Sequence, residues 1–369
     1  MRLPCLIVLS LACLPTLRAQ TITQEEIDRL QAEQYAELDA YFDRQVAEAE
    51  KLRAAAWQRD TSSVAAYEKS VEPMREKLWE VYGGKPYDAP ALDAKEELLA
   101  EFETHNAYRV RLTSFEQVRQ YGILLVPKGL KPGERRPALV CVHGMAGTPE
   151  GVCGLTEQAD YHNRFGQQAA ERGYVVLATL NMNNAQKQSW LDRKGTMVGQ
   201  RMHALEVYKT TRAVDYLCSR ADVDTGRIGA YGISWGGRTV MNLAALDRRI
   251  AATAISGHFN DLIPKMLTPA PQYTAYIQTA EGYSFFWRHA QVFTDADVVS
   301  LICPRAVFIE QGRDDKVAFW EMSQKAFNEV QPLYAALGIA DRAVYSIFEG
   351  GHEVRCVEAF AFFDEQLKE

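Results

Sequence analysis

The chain has 369 residues, 47% of them hydrophobic and 24% charged. That mix excludes a mainly disordered chain, a collagen-like repeat and a small disulfide scaffold, and the length allows one large domain or two ordinary ones. The formal charge of −7 repels phosphate backbones, which argues against a nucleic-acid partner.

Residues 1–19 read as a secretory signal peptide. Arg2 precedes an apolar run from Leu3 to Leu17, and Leu17-Arg18-Ala19 offers a small-residue exit, so cleavage is expected after Ala19 and the mature chain is expected outside the cytoplasm, secreted or periplasmic. As a membrane anchor the run is short and holds Pro4 and Pro15. No later segment is apolar for long enough to cross a bilayer, so no stable span is expected in the mature chain. Of the seven cysteines, Cys5 and Cys13 leave with the leader. Cys141, Cys153, Cys218, Cys303 and Cys356 remain, an odd number with no C-x-x-C pair. They are expected mainly as buried thiols, and neither a metal nor another cofactor is indicated.

Residues 20–106 read as a helical hairpin and a linker. Thr23 and Glu26 have capping-box spacing, and Ile27, Leu30, Leu38, Phe42 and Val46 recur at helical intervals. Val64, Tyr67, Val71, Met74, Leu78 and Val81 form a second, cleaner stripe, in which Pro73 should kink or restart the helix. Such a hairpin serves either as a strut over core surface or as a partner-binding arm. Gly83-Gly84-Lys85-Pro86 ends it, and a polar linker follows.

From residue 107 to 369 short apolar runs alternate with helical patterns. Strands are expected at 121–126, 138–142, 174–180, 227–233, 250–255, 306–310 and 343–348, and helices at about 161–172, 197–219, after 234, up to about 336, and at 357–368. This order calls for an α/β fold, a mostly parallel twisted sheet with helices on both faces. Residues 259–298 interrupt it as a long insertion with Phe259, Tyr273, Tyr276, Tyr283, Phe285, Phe286, Trp287 and Phe293. These aromatics suit a lid or substrate wall, and equally suit packing of the insertion onto the body.

The sharpest chemical feature is Gly232-Ile233-Ser234-Trp235-Gly236-Gly237, set between a strand and a helix. Glycines here permit a turn so tight that the Ser234 hydroxyl stands clear of the sheet, with the helix N-terminus facing the oxygen on which charge develops. Without that chemistry, Ser234 would be an ordinary helix N-cap. A serine hydroxyl needs a base. His352, in Gly350-Gly351-His352-Glu353 after the last strand, is the best placed histidine. His105 reads as upstream of the sheet and His203 as part of a helix pattern, His162 and His289 read as surface or packing residues, His258 could line the site, and His143 reads as structural. The base needs a carboxylate, and Asp314 and Asp315 both follow the strand ending at Glu310. Asp315 is preferred by the G-x-x-D spacing, with Asp314 as the alternative. Backbone amides of Trp235 and of Met145, in His143-Gly144-Met145-Ala146-Gly147, would form an oxyanion hole.

With these residues in the order Ser234, Asp315, His352, the segment 107–369 resembles the α/β-hydrolase superfamily, and within it the dienelactone hydrolase and acetyl xylan esterase group. Dienelactone hydrolases use a cysteine nucleophile where this chain has Ser234, which favours an ester substrate. The resemblance implies hydrolysis of small-molecule or carbohydrate esters through an acyl-enzyme. Competing readings are an exported serine peptidase of the same fold, and a non-catalytic binding protein on a hydrolase scaffold.

Overall fold

The computed structural model describes residues 21–85, 89–157, 159–268 and 286–368. Two helices come first, α1 (Gln24–Ala56) and α2 (Val64–Val81). Four strands follow: β1 (Lys95–Glu101), β2 (His105–Phe115), β3 (Val118–Pro127) and β4 (Arg136–Val142). Then come α3 (Pro149–Val152), α4 (Phe165–Glu171), β5 (Val175–Thr179), α5 (Ala185–Met197), α6 (Met202–Ser219) and β6 (Val223–Ile233). The chain continues through α7 (Trp235–Leu246), β7 (Ile250–Ser256), α8 (Leu262–Leu267), α9 (Asp295–Ser300) and β8 (Ala306–Gly312). It closes with α10 (Trp320–Ala336), β9 (Ala343–Phe348) and α11 (Val357–Lys368). The signal-peptide reading, with Cys5 and Cys13, falls outside the described residues. So do Tyr273, Tyr276, Tyr283 and Phe285.

Among the described residues the strands form one sheet in the order β1-β2-β3-β5-β4-β6-β7-β8-β9. The run from β5 to β9 is parallel, and β1, β2 and β3 join it antiparallel. Successive residues of β4 enter two separate cores, Ala138, Val140 and Val142 in one, Leu139 and Cys141 in the other. Strand side chains alternate between faces, so both faces of the sheet are covered. α2, α6, α7 and α10 supply the first core, while α4 and α11 supply the second. The α/β architecture expected from the alternation of patterns is the one observed, and it is the α/β-hydrolase arrangement.

The chain divides after Glu48 into two units. In the first, Thr23 Oγ1 accepts the Glu26 amide at 3.2 Å, and Arg29 pairs with Glu33 one turn on. In the second, the Trp57 indole N–H donates to Val292 O at 2.9 Å, and Tyr67, Val71 and Leu78 of α2 are buried. A single helix runs through Pro73 rather than restarting there.

Three elements differ from the sequence reading. The linker carries β1 and the start of β2, because β1 is a charged edge strand with little apolar alternation. His105, taken as upstream of the sheet, is the buried first residue of β2. The helix expected from 197 to 219 begins only at Met202. A separate helix, α5, precedes it, and Gly199 (φ +77°) lies in the break. Of the insertion's aromatics, Phe259, Phe286 and Phe293 are buried, while Trp287 is 83% exposed. The five cysteines among the described residues are free thiols, four of them buried.

Candidate active site

β6 is buried between β4 and β7, so the turn at its end opens at the carboxyl edge of the parallel strands, where such sheets place their sites. Ser234 occupies that turn with φ +57° and ψ −121°. A positive φ is strained for a side-chain-bearing residue, and the strain is held by bonds on both sides. The Ser234 amide donates to Ser256 O at 2.8 Å, and Ser234 O accepts the Arg238 amide at 3.0 Å as α7 begins. The flanking glycines have steric reasons. A Cβ on Gly232 would sit 2.6 Å from the Gly236 carbonyl carbon, and one on Gly236 would press into the Val142 and His143 carbonyls.

Asp315 and His352 meet. His352 Nδ1 lies 2.7 Å from Asp315 Oδ2, which also accepts Gln311 Nε2 at 2.8 Å. Asp315 Oδ1 accepts the amides of Val317 at 2.7 Å and Ala318 at 3.1 Å. Burial pushes the Asp315 carboxyl up, but the His352 bond and charge with the two amides outweigh it and leave it below the usual aspartate value. Asp314 is exposed, and its backbone amide ties to Gly350 O at 2.8 Å. Adjacent side chains in extended backbone diverge, and here the buried one faces the imidazole.

Ser234 and His352 both meet the end of β7. Ser234 binds Ser256, and Gly257 (φ +55°) lies against the imidazole, so closely that a Cβ there would be 3.0 Å from His352 Cε1. His258, next in sequence, is buried beside Gly237.

The loop after β4 is held by two histidines. The Asn181 amide donates to His143 Nε2 at 3.1 Å, which leaves Nδ1 carrying the proton it gives to Gly144 O at 2.7 Å. Gly144 O also accepts the Gly147 amide. In a trans peptide the N–H points opposite to the C=O, so these bonds fix the direction of the Met145 N–H, which has no acceptor among the described residues. The Gly144 amide donates to His162 Nε2 at 2.9 Å, and His162 Nδ1 bonds Asp160 at 2.8 Å. Burial keeps both imidazoles neutral, pushing His143 down to about 4 and lowering His162. His162 is therefore fully buried and bonded to this loop rather than a surface residue.

Tyr161 was not singled out by its sequence surroundings. Its hydroxyl donates to Met145 O at 2.6 Å, its carbonyl accepts the Val354 amide, and its ring stacks 5.8 Å from His352. It joins the Met145 loop to the His352 loop. Among the described residues no cluster of His, Cys, Asp and Glu could hold a metal ion, and no helix is long and apolar enough to cross a membrane.

Comparison with known proteins agrees with this fold. Residues 124–291 match the dienelactone hydrolase family. YtaP of Bacillus subtilis (strain 168), assigned as a hydrolase, is 29% identical over 212 residues, 56% of this chain and 69% of that protein. A crystal structure from Bacteroides fragilis NCTC 9343, assigned as an acetyl xylan esterase, superposes with a TM-score of 0.63 at 17% identity, over 80% of this chain and 78% of that one. The glucuronoyl esterase from Solibacter usitatus superposes with a TM-score of 0.62 at 14% identity, over 84% of this chain and 95% of that one. The chain thus has the α/β-hydrolase fold, and its residues 124–291 are similar to the dienelactone hydrolase family.

Proposed function

We propose that this chain hydrolyses carboxylic esters through a serine acyl-enzyme. The observation that carries the reading is convergence on one strand end. The strained Ser234 turn and the Asp315–His352 pair both meet Ser256–Gly257. Ser234 Oγ attacks the ester carbonyl while His352 Nε2 takes its proton. Asp315, held ionised, keeps the proton of neutral His352 on Nδ1, so that Nε2 is free to accept. The oxyanion of the tetrahedral intermediate faces the Met145 and Trp235 amides at the N-terminus of α7. His352 then protonates the departing alcohol, and a water that it deprotonates releases the acid and restores Ser234.

Carbohydrate acyl esters are the substrate class we favour. The two superposed structures bear the names of acetyl xylan and glucuronoyl esterases, and a leader at residues 1–19 would carry the chain to such substrates outside the cytoplasm. The test is fluorophosphonate labelling with peptide mapping, beside turnover of p-nitrophenyl acetate. The label should fall on Ser234, and Ser234→Ala should lose labelling and several orders of magnitude of turnover with its circular dichroism unchanged. A variant that keeps a tenth of wild-type turnover would refute the reading.

A further inference from the structure

Glu206 has no part in the chemistry above, yet its carboxylate lies behind both proposed oxyanion donors. It sits on α6 and is buried. Its Oε2 accepts the Trp235 indole N–H at 3.0 Å and Gln188 Nε2 of α5 at 3.1 Å. Its Oε1 accepts the Met182 amide at 2.6 Å. Trp235 carries one of the two oxyanion amides. Met182 lies between two residues that hold the loop of the other. The Asn181 amide bonds His143, Asn183 O accepts the Ala146 amide at 3.1 Å, and Asn183 Nδ2 donates to Gly147 O at 2.9 Å. His203, one turn before Glu206, packs edge-on against the Trp235 ring at 5.4 Å.

We infer that Glu206 is a positioning residue, whose ionised carboxylate clamps the two halves of the oxyanion hole in register. The inference rests on the ester-hydrolase reading. All three partners donate an N–H to Glu206, and an acceptor-only carboxylate satisfies them together without Gln188 turning over. An amide in its place puts an NH₂ against the Met182 amide or against the Trp235 and Gln188 donors. A proton on the carboxyl creates the same conflict. The charged and titratable groups around it are Lys209 on its own helix and Arg238 on α7. Burial outweighs these neighbours and the donors and raises the carboxyl to about 7. The clamp is therefore ionised above that pH and weakens below it.

The experiment measures kcat and KM for p-nitrophenyl acetate between pH 5 and 9, on wild type, Glu206→Gln and Trp235→Phe. At pH 8 Glu206→Gln should lose roughly ten- to hundredfold in kcat, less than deletion of an oxyanion donor, with KM within about twofold. The acid limb of the wild-type profile should be steeper than one decade per pH unit, because the Glu206 proton must be lost in addition to the one that general-base catalysis already requires. That limb should relax to unit slope in Glu206→Gln, a change that a purely structural role would not produce. Trp235→Phe keeps a ring but removes one donor, so it should lower kcat and not KM. If Glu206→Gln fails to fold, the wild-type limb and Trp235→Phe decide. A unit wild-type slope, or unchanged kcat in Trp235→Phe, overturns the clamp. Wild-type kcat and limb in a folded Glu206→Gln overturn it alone. A wild type that neither labels with fluorophosphonate nor turns over esters overturns the ester reading, and the clamp with it.

Discussion

Asp315→Asn tests how the imidazole is held. Asp315 makes four contacts with a fixed division of labour. Oδ1 takes the Val317 and Ala318 amides, and Oδ2 takes His352 and Gln311. An amide at this position has one acceptor atom. Turning it toward His352 would strand the buried Ala318 N–H, at about 1–3 kcal/mol, and the part-buried Val317 N–H with it. The oxygen therefore stays with the loop, and an NH₂ faces His352 Nδ1. The imidazole answers by moving its proton to Nε2, where it presents a donor to Ser234 instead of an acceptor. Turnover should fall by a factor on the order of 10³ to 10⁴, as for the same change in other triads. That is about 4–5.5 kcal/mol of barrier.

Asp314→Asn supplies the contrast. Asp314 is exposed, and it is its backbone that bonds the His352 loop, so the change should alter turnover by less than about tenfold. Steady-state kinetics on p-nitrophenyl acetate, with circular dichroism and melting curves for both variants, gives the comparison. A folded Asp315→Asn retaining a tenth of wild-type turnover would refute the reasoning about the tautomer. A larger loss in Asp314→Asn would move the orienting role to that residue.

Gly257→Ala should lower turnover on the order of 10²-fold, because its Cβ would displace His352, and left-handed backbone should remove about 1–2 kcal/mol of stability. Unchanged kinetics would mean that the imidazole works from elsewhere. His143 gives a pH effect of definite sign. Its folded value of about 4 lies below the ordinary 6.5, so its contribution is present above pH 6.5 and is lost as pH falls toward 4. The loss is roughly 3 kcal/mol. Urea midpoints between pH 4 and 8 should flatten in His143→Gln, and parallel curves would contradict the assignment.

What the sequence made legible is chemistry that depends on neighbours in the chain. The elbow at 232–237 shows itself because its glycines and Ser234 solve a local steric problem. The preference for Asp315 over Asp314 rests on the G-x-x-D spacing of its loop, and Asp315 is the one that meets His352. β1 stayed hidden because an edge strand buries so little that its residues keep charged side chains, and Lys95-Glu96-Glu97 reads like a linker. The break between α5 and α6 needed only Gly199, but the continuous stripe of α6 masked it. The positioning residues are a different matter. His162 lies 18 residues from Gly144, and Glu206 lies 24 from Met182 and 29 from Trp235. Nothing local distinguishes a histidine or glutamate that closes such contacts from one that faces water. They become recognisable only when the fold buries them, since a buried polar group must find partners. Here the partners happen to be backbone and indole N–H groups around Ser234. The same argument separates the two histidines of the Met145 loop from the base. His143 and His162 are buried, neutral and bonded through both ring nitrogens, whereas His352 is half-buried and bonded through Nδ1 to Asp315. An imidazole whose two nitrogens are already committed can fix a loop but cannot also carry a proton between substrate and nucleophile.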